Sequence, residues 1–171
     1  MQTSHPATRL AFFTAFAVTI YIVESFIPKP FPFMRIGLAN ILILIILLSD
    51  GFKSALIVSF SKTIIGGFFT GTFLGPTTLL SLSGGIFSLI IMFIFIRSKV
   101  QFSIIGISIL GATAHNFAQI SIVRLILIKQ NTIFYLTPLL VLMGIVTGII
   151  TGFIAKKIME RNEVFYEKRS N

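Results

Sequence analysis

The sequence contains no cysteine and no tryptophan. Without a thiol there is no disulfide, no thiolate metal site and no cysteine nucleophile, and the redox compartment leaves no mark on the chain. Acidic residues number five, and Asp50 is the only aspartate, so the paired-aspartate cluster that holds magnesium on a prenyl diphosphate cannot be built. Two histidines, His5 and His115, do not make a histidine-rich metal site. No Gly-x-x-x-x-Gly-Lys-Ser/Thr run occurs, which excludes ATP use through a P-loop. His115 has serines nearby but no acidic residue in its own helix to orient it, so no nucleophilic triad is recognisable. These absences leave no catalytic residue, metal or cofactor to nominate, and the expectation is a protein that is not an enzyme.

Charge is also sparse, at 11% of residues against 55% hydrophobic, whereas soluble domains carry about a quarter charged residues. With a mean hydropathy of +0.98, the chain reads as an all-α integral membrane protein. Apolar runs able to span about 30 Å of hydrocarbon lie near 9–27, 36–48, 54–74, 77–96, 102–127 and 133–155. The second is short for a span. They make six transmembrane helices in a single membrane domain over 1–171, with short loops and a charged, solvated cytoplasmic tail at 156–171. The first run is read as a retained helix, because Glu24, Phe26, Ile27 and Pro28 follow its apolar part without a small-x-small cleavage pattern.

The net charge of +9 is accounted for by topology, not by nucleic acid. With the N-terminus inside, the inner side holds Arg9, Lys53, Arg97, Lys99, Lys156, Lys157, Arg161, Lys168 and Arg169, against Lys29, Arg35, Arg124 and Lys129 outside. The positive-inside rule then places both termini in the cytoplasm.

Polar residues inside the apolar runs are few and ordered. In the fifth run Ala112, His115, Asn116, Gln119 and Val123 share one face at about 3.6 residues per turn. Three hydrogen-bonding side chains thus point one way near the bilayer centre, where a polar group without a partner costs several kcal/mol. The third run aligns Ser59, Lys62, Thr63, Gly66 and Thr70, and an ammonium at mid-membrane costs roughly 2.5–3.5 kcal/mol on insertion scales. Thr77, Ser81, Gly84 and Ser88 form a third such face. Glu24, the only acid in the first run, is either an interfacial carboxylate or the partner of a basic group. Arg35 is a headgroup anchor or a pocket residue, Asn40 lies about one turn deeper and needs a partner, and Arg124 is an anchor as readily as a pocket residue.

If these helices converge, Lys62, His115, Asn116 and Gln119 lie in an outward-facing pocket with Asn40, Arg35 and Glu24 above them. Such a pocket has mixed hydrogen bonding and excess positive charge, suited to a small polar molecule, an anion included. The alternative is that the same groups are interhelical hydrogen bonds and no more. Ala7, Ala11 and Ala15 form a small-x-x-x-small ridge on the first helix, which lets another helix approach closely, either from the same chain or from a separate subunit. Gly144, Gly148 and Gly152 on the last helix read as packing, and the prolines at 28–33 stiffen the external loop.

The segments Arg35-Ile-Gly-Leu-Ala-Asn40, Gly51-Phe-Lys-Ser-Ala55, Gly66-Gly-Phe-Phe-Thr-Gly-Thr72, Ser81-Leu-Ser-Gly-Gly85 and Gly111 to Gln119 together resemble the Gx transporter family. Its members are often labelled heptaprenyl diphosphate synthase component I. The likeness covers most of the chain. Relatives usually carry lysine at the Arg35 position and arginine at the Lys62 position, exchanges that keep charge and change donor geometry. The family resembles the substrate-binding S-components of energy-coupling factor transporters. That likeness implies a multi-pass protein of the bacterial inner membrane that captures a small molecule from outside. It implies docking through helix 1, at Ala7, Ala11 and Ala15, on a transmembrane coupling subunit driven by two cytoplasmic ATPases. A non-catalytic membrane subunit of a prenyl diphosphate synthase, its cavity holding a prenyl chain, is the second expectation, and a self-contained gradient-driven carrier the third.

Overall fold

Glycine and proline set the boundaries of the helices in a computed structural model that describes residues 6–28, 37–127 and 131–161. Among these residues the chain forms six α-helices and no strand: α1 (Pro6–Ser25), α2 (Ala39–Ser49), α3 (Phe52–Phe69), α4 (Pro76–Arg97), α5 (Ile104–Ile122) and α6 (Thr137–Arg161). Gly51, at φ 85°, turns α2 into α3. Pro76 occupies the first turn of α4, where its missing N–H costs nothing. Ser103 caps α5, its hydroxyl accepting from the Gly106 N–H at 3.0 Å. The last turn of α5 widens into a π turn over Val123–Leu127, and a 3-10 segment, Asn131–Leu136, leads into α6.

The third apolar run ends as helix at Phe69, short of the expected 74, because Gly71 adopts φ 69°. A threonine cluster then closes the turn: Thr78 Oγ1 donates to the Thr72 carbonyl at 2.6 Å, and Thr70 and Thr72 share a hydroxyl contact at 3.0 Å. The last helix runs on to Arg161, past the expected end at 155. Residues 162–171 of the anticipated tail, and Lys29 and Arg35 of the proline-rich approach, lie outside the described residues.

Among the described residues four helices are long and apolar enough to cross a membrane: α1, α3, α4 and the 3-10 segment continued into α6. α2 is apolar on all sides but has 11 residues, about 17 Å of helix. A helix hydrophobic all round belongs in an interior, and Ile41 to Leu47 are all buried. α2 is therefore the axis of the bundle, and its aliphatic side chains form the main core with Ala17, Val58, Leu89 and Ala155. A smaller core of Leu80, Ile120, Val123 and Ile133 lies where α4, α5 and the 3-10 segment meet. The outward surface is also apolar, with Phe12 68%, Phe68 71% and Phe69 69% exposed. Water does not tolerate such a belt on a soluble monomer; this is a membrane protein.

Close approach between α5 and α6 follows from the glycine ridge of α6. A Cβ at Gly148 would stand 2.6 Å from Ile109 Cα, and one at Gly152 2.8 Å from Ile105 Cα. Ser108 and Thr151 join the same two helices through a hydroxyl contact at 2.8 Å. At the opposite end of the bundle from Glu24, Arg9 of α1 pairs with Asp50 at 3.1 Å, tying α1 to the α2–α3 turn.

Candidate functional site

Two opposite charges are buried on neighbouring helices, and the start of α2 lies between them. Glu24, 3% exposed near the end of α1, accepts the Gly37 backbone N–H on Oε1 at 2.6 Å. Gly37 has φ 81°, a conformation that favours glycine, and this backbone turn presents its N–H to the carboxylate. Three residues on, Asn40 Oδ1 accepts from Lys62 Nζ of α3 at 2.7 Å, and Lys62 is 5% exposed. The backbone amide and the side-chain amide of one short segment thus hold a carboxylate and an ammonium through neutral dipoles.

These groups line one cavity together with Tyr21, Ala39, Thr63, Ser81, Ala112, His115, Asn116 and Thr147. Counted to its open mouth the cavity encloses about 450 Å³, but a water molecule can be centred over only about 30 Å³ of it. That is room for a few waters, so a larger guest needs its walls to move. Three of the walls are set by glycine. The Tyr21 ring lies where a Cβ on Gly66 would be, 2.3 Å from Cδ1, and the His115 imidazole lies against Gly84, where a Cβ would approach to 2.8 Å. Gly144 brings α6 against Thr113 and Asn116, with a Cβ position 3.2 Å from Asn116 Nδ2. A second, smaller cavity shares Gly37, Asn40, Ala112 and Thr147 with the first and continues between α4, α5 and α6 past Ser88, Ser108 and Thr151.

The polar groups of the cavity differ in what they already hold. Thr63 donates to the Ser59 carbonyl at 3.1 Å within its own helix, and Asn116 Nδ2 donates to the Leu140 carbonyl of α6 at 2.8 Å. Asn116 therefore serves as an interhelical clasp while also lining the cavity. Ser81 is 4% exposed, and its Oγ has no hydrogen-bond partner among the described residues. A buried hydroxyl in that condition costs about 1–3 kcal/mol, a cost that a ligand or an ordered water removes.

Of the residues singled out in the sequence, Glu24, Asn40, Lys62, His115 and Asn116 share this cavity. Gln119 is buried, 4% exposed, but does not line it. Arg35 lies outside the described residues. Arg124, within the π turn, reaches the 3-10 segment instead, where its Nε and Nη2 both donate to Asn131 Oδ1 at 3.1 Å. Among the described residues the wall carries Glu24 and Lys62, and Arg35, part of the positive charge anticipated, lies outside them. Tyr21, Thr63, Ser81 and Thr147 line the cavity without being expected as site residues, although Thr63 and Ser81 stand on polar helical faces legible in the sequence. Among the described residues no three His, Asp or Glu side chains come together as a metal site. Ala7, Ala11 and Ala15 all lie exposed on α1.

A family profile described as heptaprenyl diphosphate synthase component I matches residues 13–158. The chain belongs to this family. No curated protein and no solved structure matches the chain. The span shared with the heptaprenyl diphosphate synthase component I family takes in every residue of the cavity wall, from Tyr21 to Thr147. Of the α1 alanines it includes Ala15 and leaves out Ala7 and Ala11.

Proposed function

We propose that this chain is the substrate-capturing membrane subunit of a small-molecule uptake transporter, similar in role to the S-components of energy-coupling factor transporters. The observation that carries this reading is the cavity itself. It buries a carboxylate, an ammonium, an imidazole and an unsatisfied hydroxyl among helices otherwise packed with aliphatic side chains. Ionisable groups inside membrane spans are costly and mark substrate paths more often than they mark glue. In this reading the protein spans a bacterial inner membrane six times with both termini in the cytoplasm, and the Glu24 end of the cavity faces outward. The ligand enters as the walls part, and its contacts favour a closed form.

Energy comes from outside the chain. The exposed ridge of Ala7, Ala11 and Ala15 supports close docking of a transmembrane coupling subunit that carries two cytoplasmic ATPases. The chain acts as a receptor and catalyses no reaction.

The family's description favours a second reading, a non-catalytic membrane subunit of a prenyl diphosphate synthase. An apolar groove between the α3–α4 turn and the end of α5, lined by Ile64, Leu74, Leu80 and Ile126, has the chemistry for an isoprenoid chain. Native mass spectrometry of gently extracted protein separates the two. A small water-soluble ligand that also raises Tm supports capture, and a retained long-chain isoprenoid diphosphate overturns it.

A further inference from the structure

Resting on the capture reading above, we infer that Ser81 is a hydrogen-bond donor kept for the guest, so that the ligand places an acceptor, an oxygen or an unprotonated nitrogen, against α4. Among the described residues three aliphatic hydroxyls line the cavity, those of Thr63, Ser81 and Thr147. A hydroxyl has one proton to donate and two lone pairs with which to accept. Thr63 donates to the Ser59 carbonyl at 3.1 Å, and Thr147 to the Met143 carbonyl at 2.9 Å. Each of those carbonyls lies four residues back in the same helix. Both threonines can therefore accept from a ligand but donate to it only by giving up a helix bond.

Ser81 departs from this pattern. The Thr77 carbonyl stands four residues back in α4, yet Ser81 Oγ bonds neither to it nor to any other group among the described residues. The residue is 4% exposed, and the space it borders is the cavity. Glycines one turn away hold it there: a Cβ on Gly84 would stand 2.8 Å from the His115 ring, and one on Gly85 3.0 Å from Ser59 Oγ. Within a bilayer no solvent is at hand to satisfy such a hydroxyl. A small residue needed for close packing alone would be served as well by alanine, so it is the hydroxyl that calls for a partner. An acceptor on the ligand supplies one and breaks no existing bond. The same arrangement rejects an isostere without the acceptor, because the hydroxyl is then left buried and unpaired.

Ser81→Ala keeps the size of the side chain and removes the hydroxyl. Purified from the same cells as the unsubstituted protein, this variant is expected to carry about tenfold less of the small water-soluble molecule seen by native mass spectrometry. Its Tm after that molecule is dialysed away is expected to be unchanged or higher, since no bond within the protein is lost. Equal occupancy of the two proteins overturns the inference. A lower Tm of the ligand-free variant overturns it too, because the hydroxyl is then satisfied by the protein itself.

A second measurement needs no ligand. The chain has no native cysteine, and Ser81→Cys exchanges oxygen for sulfur at the same position. On intact cells a membrane-impermeant methanethiosulfonate is expected to modify Ser81→Cys, Ala112→Cys in the same wall and Thr132→Cys in the 3-10 segment. Modification of Ala112→Cys without Ser81→Cys overturns the donor role and leaves capture standing. If neither cavity position reacts while Thr132→Cys does, or if the co-purified molecule is an isoprenoid diphosphate, capture itself falls and the donor role with it.

Discussion

Gly66 is the residue on which the shape of the cavity rests most directly. A methyl there would lie 2.3, 2.8 and 3.1 Å from three ring atoms of Tyr21, a side chain itself only 3% exposed. The ring must shift toward the cavity it lines. Gly66→Ala is expected to cost about 1–3 kcal/mol of stability, the usual range for overpacking a filled interior, read as a lowered Tm in detergent; an unchanged Tm means the ring has another resting place. Asn116 is tied by its bond to Leu140, and interhelical bonds of this kind contribute about 0.6 kcal/mol on average. Asn116→Leu is accordingly expected to destabilise the ligand-free protein by roughly that amount and to weaken ligand binding as well. Gln119, outside the cavity wall, is expected to leave ligand affinity unchanged when replaced by leucine. A loss of affinity equal to that of Asn116→Leu would place Gln119 in the ligand's path.

Between helices, the α5–α6 pair is set by backbone meeting backbone. At Gly148 the obstacles to a Cβ are Ile109 Cα at 2.6 Å and Ile109 N at 3.0 Å, so no rotamer change can relieve it and the helices must move apart. Gly148→Ala is expected to lower stability by about 1–3 kcal/mol and to loosen the Ser108–Thr151 contact. A Tm within error of the parent would show that the pair slides freely. α1 is the opposite case. Its Ala7, Ala11 and Ala15 face outward and are not part of the packed interior, so Ala11→Trp is expected to leave Tm unchanged while abolishing co-purification of a membrane partner. Retention of that partner would remove the docking role from this ridge.

For the molecule as a whole, sidedness is the property that the proposed function needs. The absence of native cysteine makes single introduced cysteines a background-free reporter. With a membrane-impermeant maleimide on intact cells, Thr132→Cys in the 3-10 segment is expected to react. Lys99→Cys, between α4 and α5, and Lys156→Cys, near the end of α6, are expected to react only after the membrane is opened. The reverse pattern would turn the cavity mouth toward the cytoplasm and end the uptake reading. Orientation follows from the distribution of basic residues near helix ends, a property of the whole chain and of no single helix.

The helices themselves are legible residue by residue. Uninterrupted aliphatic runs require backbone hydrogen bonds to close within the segment, and Gly51 and Pro76 mark boundaries through their own covalent chemistry, whereas Gly71 ends α3 short of the limit its apolar run suggests. Period alone also places Lys62 with Thr63, and His115 with Asn116, on single faces, and identifies the glycines of α6 as a packing ridge. What period cannot supply is the rotation of one helix against another. That rotation puts Tyr21 and Ser81 in the cavity wall and leaves Gln119 out of it. It also sets Arg124 on Asn131. A positive φ at Gly37 aims a backbone amide at Glu24 from thirteen residues away, a contact between elements that no spacing within either one encodes. The sequence by itself determined which segments are apolar helices and which faces are polar, because both follow from local composition. Only the tertiary structure decided which charges share one interior, because that depends on how closely α1, through Tyr21, comes against Gly66 of α3.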